Sequence, residues 1–174
     1  LVTCTAPLDR ERALWIFGGT VLVLTAASAI YWVYPRWIVK HNDLEPLSAE
    51  DAPDVLAYVE DLRETAGVSQ EVAFVWNPLD AATTGLAFGR RGRHYVALTG
   101  GLVTQFYTDR PAFRAVVLHE LSHLRNGDVD KTYFTIAVWR AFVLVTLLPF
   151  AAVSLFTIPP RELFALGWRG LTLA

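Results

Sequence analysis

The sequence of 174 residues contains no methionine, one cysteine and only four histidines. The single Cys4 excludes an internal disulfide framework and a zinc site built from cysteines. Charged residues make up 18% of the chain and the net charge is −2, so nothing in the charge balance suggests a nucleic-acid partner. Hydrophobic residues, by contrast, make up 53% of the chain, which is high for a soluble domain.

A long stretch near the N-terminus, residues 13–34, carries no charge over 22 positions. That length is sufficient for a helix to cross a bilayer. Aromatic residues stand near both ends, as they do at membrane interfaces. A signal peptide is the alternative, but no small-residue cleavage motif closes the stretch. The sequence therefore predicts a short N-terminal tail at 1–12 and a transmembrane helix at 13–34.

A second apolar stretch covers residues 132–158 and contains Arg140 and Pro149. Its uncharged part, 141–158, has 18 residues, which is near the lower limit for a membrane span. Arg140 can extend the span by directing its charge to the interface, and Pro149 can kink the helix. We expect a second transmembrane helix here, followed by an interfacial segment at 159–174.

The residues between the two stretches, 35–131, predict a small α+β domain. Residues 35–47 are expected to form a linker, and Ser48 to cap a helix that contains an apolar stripe and ends near Gly67. The period then changes to that of strands, which predicts a short antiparallel or mixed sheet. The three predicted strands are residues 71–76, 83–88 and 94–99. The arginine-rich turn before the last strand is either a solvated hairpin tip or a basic patch near lipid head groups.

The most informative motif is H-E-x-x-H, formed by His119, Glu120 and His123. On a helix, residues four apart project from one face, so the two imidazoles can reach one Zn²⁺. Glu120 lies beside them, where it can act as a general base. Asp109 or Thr108 can cap this helix, Pro111 suits its first turn and Gly127 its end. The alternative is a buried helix whose histidines form hydrogen bonds within the core.

Three segments carry a resemblance to a known family. Residues 119–128 read HELSHLRNGD, residues 80–85 read DAATTG, and residues 95–102 read YVALTGGL. Together with the flanking apolar stretches, they resemble the M48 family of membrane-integrated zinc metallopeptidases, which includes the HtpX-type proteases. The match is good over about residues 48–131. Asp80 stands where the family usually has asparagine.

The resemblance implies a zincin-like peptidase domain at 35–131 with Zn²⁺ as its cofactor. His119 and His123 are then the zinc ligands and Glu120 is the catalytic base. Asp128 either orients a zinc ligand from behind or forms a local pair with Arg125. The strand expected to pair with an extended substrate contains Thr83, Thr84, Gly85, Leu86 and Ala87.

The third zinc ligand is the point at which the sequence departs from the family. The family supplies a Glu in a later Glu-x-x-x-Asp pattern, but the only later Glu here is Glu162, and Leu166 stands four residues on. A metzincin pattern also fails, because it requires a glycine at Asn126 and a ligand at Val129. Either the sequence ends before the third ligand, or the ligand comes from elsewhere, or the site is degenerate. We expect the first of these.

The expected function is that of a membrane zinc endopeptidase acting on membrane or misfolded polypeptides. The expected partners are the lipid bilayer, a polypeptide substrate and either a second copy or another membrane protein. Family resemblance and the basic residues Arg36 and Lys40 after the first stretch favour a bacterial plasma membrane with the domain in the cytoplasm, although Arg10 and Arg161 oppose this orientation. The alternatives are a non-catalytic membrane scaffold that retains the peptidase fold and a membrane receptor with such a domain.

Overall fold

The structure, a computed structural model, describes residues 9–157. The predicted interfacial segment at 159–174 lies outside the described residues, as does most of the N-terminal tail. The chain divides into two compact units. Residues 29–137 form one unit, which contains the sheet and the H-E-x-x-H helix. The described part of the other unit consists of apolar helical segments at 9–28 and 138–157.

The first helix, α1, covers Arg10–His41 and has 32 residues. It is long and apolar enough to cross a membrane. The prediction of a linker from residue 35 is wrong at its start, because the helix continues through Pro35 to His41. Pro35 and Ile38 are both buried, so packing of this last part of the helix offsets the backbone hydrogen bond that proline removes.

After α1, the unit that contains the sheet consists of four strands and three helices, followed by the start of the second apolar helix. They are β1 (Glu45–Pro46), α2 (Pro53–Thr65), β2 (Val72–Asn77), β3 (Gly85–Arg90), β4 (Arg93–Thr99), α3 (Gly100–Thr108) and α4 (Arg110–Arg125). The α+β class and the three predicted strands are therefore confirmed. The two-residue strand β1 was not predicted, because it is too short to show a period.

The sheet is mixed and has the strand order β1-β2-β4-β3. Strands β2 and β4 are parallel, whereas β3 pairs with β4 as an antiparallel hairpin. Since β3 stands at the end of this order, one of its edges is not paired with another strand of the sheet. That edge is the one beside which α4 packs.

Side chains of the central strand β4 alternate between the two faces of the sheet, as the period of two requires. Val96 and Leu98 face the main core, which α2, α3 and α4 cover with fully buried residues such as Val59, Leu102 and Phe113. Tyr95 and Ala97 face a smaller core that includes Val75, Phe88 and Ile38 of α1. The sheet is thus covered on both faces, and α4 lies on the side of the main core.

Helix α2 begins later than predicted, because Ser48 was expected to be its cap. Ala52 is the residue before the helix, and it makes no side-chain capping bond. Ser48 instead accepts a hydrogen bond from the amide of Asp51 at 3.2 Å, within a turn that precedes the helix. The helix starts at Pro53 because the fixed φ of proline suits a first helical position.

The second apolar helical stretch consists of α5 (Asp128–Phe142), a π-helical turn (Val143–Leu147) and α6 (Leu148–Thr157). Its segment Asp128–Ser154 is long and apolar enough to span a membrane. The π turn comes directly before Pro149, and the amide of Leu148 bonds to the carbonyl of Val143. Proline lacks an amide hydrogen and clashes with the carbonyl four residues earlier, so a wider turn relieves this position. The irregularity of the helix thus lies next to Pro149, where a kink was expected.

Candidate active site

Helix α4 presents the H-E-x-x-H motif because its opposite face is buried. Asp109 caps the helix by accepting a hydrogen bond from the amide of Ala112 at 3.1 Å. Gly127 follows the last turn with a φ of +68°, a conformation that favours glycine. The predicted cap and end are therefore confirmed. The core-facing stripe of the helix consists of Phe113, Val117, Leu121 and Leu124.

The two histidines of the motif converge on one point. Their Nε2 atoms are 3.3 Å apart, and their rings meet edge to face at an angle of 84°. Two ligands that are each about 2.0–2.1 Å from a tetrahedral zinc lie about 3.3–3.4 Å from each other. The arrangement of His119 and His123 therefore fits two positions of a zinc site, and both side chains are accessible enough to receive a metal.

Glu120 is held by the edge strand of the sheet. Its Oε2 accepts a hydrogen bond from the backbone amide of Ala87 at 2.8 Å. In an antiparallel pair, alternate residues direct their backbone groups away from the partner strand. The amide of Ala87 therefore belongs to the open edge of β3, and the carboxylate of Glu120 lies along that edge. Sequence reasoning did not predict this contact, which joins residues 33 positions apart.

Gly85 is the other residue of β3 that approaches Glu120 closely. A methyl group at this position would lie 2.9 Å from Cγ of Glu120 and 3.4 Å from Cγ1 of Val116. The strand can therefore approach α4 this closely only because residue 85 has no side chain. A glycine inside a strand is a known sign of close backbone approach, so this feature had a signal in the sequence.

The other members of the predicted substrate strand have different positions. Strand β3 begins at Gly85, so Thr83 and Thr84 precede it. Thr84 nevertheless continues the pairing with β4, because its carbonyl accepts a hydrogen bond from the amide of Thr99 at 3.2 Å. The side chain of Leu86 is exposed and lines a cavity of about 350 Å³.

Asp128 lies behind the second histidine. Its Oδ2 is 3.6 Å from Nδ1 of His123, and its Oδ1 is 3.8 Å from Nζ of Lys131. A carboxylate near Nδ1 favours the ring orientation that directs Nε2 outward. Asp128 therefore lies close to both His123 and Lys131.

A third protein ligand has no candidate among residues 9–157. No group of three or more His, Cys, Asp or Glu side chains in that range is placed to hold a metal ion. Glu162, the residue considered from the sequence, lies outside the described residues. Among residues 9–157, His119 and His123 therefore offer two nitrogen ligands without a third protein ligand beside them.

A buried polar cluster, distinct from the motif, was also missed from the sequence. His94 is only 4% exposed, and its Nε2 is 3.2 Å from Oδ1 of Asp130. The hydroxyl of Tyr31 donates to the same oxygen at 3.4 Å and accepts from the amide of Arg91 at 3.0 Å. A lone histidine in an apolar strand requires a polar partner when it is buried. The position of His94 in such a strand was therefore the feature of the sequence that could have indicated this cluster.

The comparisons with known proteins agree with these features. The model of the family described as "Peptidase family M48" matches residues 49–158. A protein named "Protease HtpX homolog" from Pyrococcus furiosus is 31% identical over 145 residues, which cover 80% of this chain and 48% of that protein. A protein of the same name from Limosilactobacillus reuteri is 32% identical over 170 residues, covering 82% of this chain and 55% of that protein.

The chain thus spans about half the length of these curated relatives. No solved structure matches the chain. The family model covers more than half of the sequence, including the whole H-E-x-x-H helix and the sheet strands β2, β3 and β4. The two long apolar helices fit the membrane segments expected of an integral membrane member. The chain belongs to peptidase family M48.

Proposed function

We propose that this chain is part of a membrane-integrated, zinc-dependent endopeptidase that hydrolyses peptide bonds in membrane or misfolded proteins. The main support is the geometry of α4, where two imidazole nitrogens lie 3.3 Å apart and the intervening carboxylate borders an open strand edge. Family membership supports the same activity.

His119 and His123 would hold the Zn²⁺ through their Nε2 atoms. When bound, the metal would polarise the scissile carbonyl and lower the pKa of a water molecule. Two imidazoles with the neighbouring carboxylate of Glu120 suit zinc among the divalent ions. Asp128 would hold the ring of His123 in the ligating orientation through Nδ1.

Glu120 would act as the general base. Its Oε2 is fixed by the amide of Ala87, which leaves the carboxylate in a defined orientation with Oε1 as its second basic oxygen. The carboxylate would take a proton from the attacking water and return it to the nitrogen of the leaving amine. The strand fixes the carboxylate through backbone atoms, so the base is oriented before substrate arrives.

The open edge of β3 would bind the substrate as an added strand. Gly85 and Ala87 direct their backbone groups to that edge, next to Glu120. The amide of Ala87 is engaged by Glu120, so the substrate would pair with the backbone of Gly85 and the carbonyl of Ala87. An extended peptide that pairs there would pass beside the two histidines. Thr83 would extend the same edge on the N-terminal side, whereas the amide and carbonyl of Thr84 bond to Thr99 of β4. The exposed Leu86 would contribute to a side-chain pocket.

The membrane placement is also a proposal. The helix α1 and the segment Asp128–Ser154 would cross the plasma membrane of a bacterium. The peptidase unit would lie in the cytoplasm, because the basic residues Arg36 and Lys40 follow the first apolar stretch on that side. A protease added to inverted vesicles should then cleave exposed loops of the unit, whereas the same protease added to right-side-out vesicles should not. The reverse pattern would contradict the orientation.

The activity is tested by measuring zinc content and peptide cleavage for the same preparations. Both are measured on this chain and on a version extended beyond Ala174, because the third ligand has no candidate among residues 9–157. Glu120→Gln should keep the zinc of its parent and lose cleavage of an unfolded polypeptide by roughly 10²- to 10⁴-fold. His119→Ala and His123→Ala should lose the zinc itself.

These measurements also distinguish the alternative of a non-catalytic scaffold. A scaffold would show no cleavage in either version, and Glu120→Gln would then change nothing. Cleavage that persists in Glu120→Gln would contradict the role of that residue while leaving the metal site intact. Zinc in the extended version alone would locate the third ligand beyond Ala174.

A further inference from the structure

The tip of the β3–β4 hairpin is strongly basic. Arg90, Arg91 and Arg93 surround the turn, and the sequence from Gly89 to Tyr95 contains no acidic residue. Arg91 and Arg93 are exposed. We call these three arginines and Gly92 the arginine tip. Like charges held this close repel one another, so such a tip favours an anionic partner.

The arginine tip is joined to the end of the first apolar stretch. The guanidinium of Arg90 lies 3.7 Å from the ring centre of Trp32, and the amide of Arg91 donates to the hydroxyl of Tyr31 at 3.0 Å. Tyr31 and Trp32 belong to the last turn of the uncharged stretch of α1, which Arg36 follows. Aromatic residues at such a position lie at the level of the lipid head groups.

The start of the second apolar helix reaches the same level. Asp130, in the first turn of α5, accepts from Tyr31 at 3.4 Å and lies 3.2 Å from Nε2 of the buried His94. One cluster of polar contacts therefore joins the two apolar helices to the base of the hairpin. If these helices cross a bilayer, the arginine tip must lie at its surface.

A cavity of about 430 Å³ opens beside the tip. Its lining includes Arg91, Gly92 and His94, together with Gln70, Glu71 and Asp130. The carboxylate of Asp130 is already engaged by Tyr31 and His94, so Glu71 is the acidic group left to oppose Arg91 in this lining. Arg90 and Arg93 are not part of this lining, so the basic surface is the arginine tip itself and not the cavity. Guanidinium groups bind phosphate oxygens well, because they present several N–H donors in one plane.

We propose that the arginine tip binds the head group of an anionic phospholipid, with phosphatidylglycerol as the test lipid. Trp32 is 58% exposed and would contact the acyl-chain boundary below the head group. The proposal rests on the membrane insertion proposed above and is independent of peptide cleavage. It gives the hairpin a second role beside that of carrying the edge strand β3.

The test is a lipid titration of the purified chain in detergent, followed by native mass spectrometry. Phosphatidylglycerol should bind more tightly than phosphatidylcholine with the same acyl chains. A basic residue near an anionic lipid surface contributes about a fivefold gain in affinity. Arg91→Gln should therefore weaken phosphatidylglycerol binding about fivefold, and the double variant with Arg93→Gln should remove most of the preference over phosphatidylcholine.

Two matched variants keep the result interpretable. Arg91→Lys retains the charge and the backbone contact with Tyr31, so it should retain most of the binding. Arg114→Gln removes an exposed arginine from α4 and should leave binding unchanged. Equal binding of the two lipids by the parent chain would overturn the proposal, as would full binding by the double variant. A chain that fails to insert into lipid nanodiscs would instead contradict the proposed membrane placement.

Discussion

Replacement of Gly85 by alanine should move the proposed base without altering the metal ligands. The added methyl group would lie 2.9 Å from Cγ of Glu120, whereas ordinary contacts begin at 3.4 Å. Glu120 must therefore move by about 0.5 Å or more, or the strand must retreat by the same amount. Either movement lengthens the 2.8 Å bond between Ala87 N and Glu120 Oε2.

The size of the effect follows from the dependence of catalysis on position. A misplacement of about 1 Å can reduce the rate roughly 10²-fold, so a shift of half that size should reduce kcat about tenfold. Complete loss of the hydrogen bond to the charged carboxylate, about 1.5–3 kcal/mol, would add a further factor of roughly 10 to 10², which places the upper end near 10³-fold. Zinc content should not change, because His119 and His123 are not in the path of the methyl group.

The assay is cleavage of an unfolded reporter polypeptide, with zinc content measured on the same sample. Gly19→Ala is the matched control, since a methyl group at that helical position meets no atom within 4 Å. It should leave both cleavage and zinc content unchanged. If Gly85→Ala cleaves as fast as this control, the close approach of β3 does not position Glu120 for catalysis.

Four further predictions concern stability and the metal. Leu121→Ala should destabilise the unit by about 2–5 kcal/mol in chemical unfolding, because that side chain is fully buried between α4 and the sheet. Asp109→Ala should cost about 0.5–2 kcal/mol by removing the cap of α4, and an unchanged unfolding midpoint would show that the cap is dispensable. Gly92→Ala should cost about 1–2 kcal/mol, since its φ of +81° strains any residue with a side chain. Asp128→Asn should weaken zinc affinity about 10- to 100-fold in a competition titration, and no change there would assign Asp128 to its pair with Lys131 alone.

The features that sequence predicted well are the local ones. The cap and the end of α4 depend on residues within 18 positions of one another, and both are present. The strands β2, β3 and β4 were found because each shows the period of two or a run of buried residues between turn signals. The sequence also predicted a kink at Pro149, and the helix has a π turn, which was not predicted as such, just before that residue.

The features that the sequence did not predict depend on contacts between distant segments. Helix α1 continues through Pro35 because Ile38 packs against the sheet, and no local rule contains that contact. The glycines at residues 100 and 101 are a second feature of this kind. A methyl group on either would collide with backbone oxygens of Pro78 or Ala81, so these glycines also let the loop before β3 lie on the start of α3.

The orientation of Glu120 depends in the same way on the register of the hairpin. Ala87 pairs with Val96, and this register directs the amide of residue 87 to the open edge. A slip of one residue would turn that amide toward β4 and exchange the residues of β3 that face the two cores, such as Ala87 and Phe88. The register is set where the hairpin turns, between Arg90 and Arg93, by a glycine with positive φ at residue 92. The position of the proposed base is therefore fixed partly by the turn in the arginine tip. A substitution in the tip should affect cleavage as well as lipid binding only if it alters the register of β3 and β4.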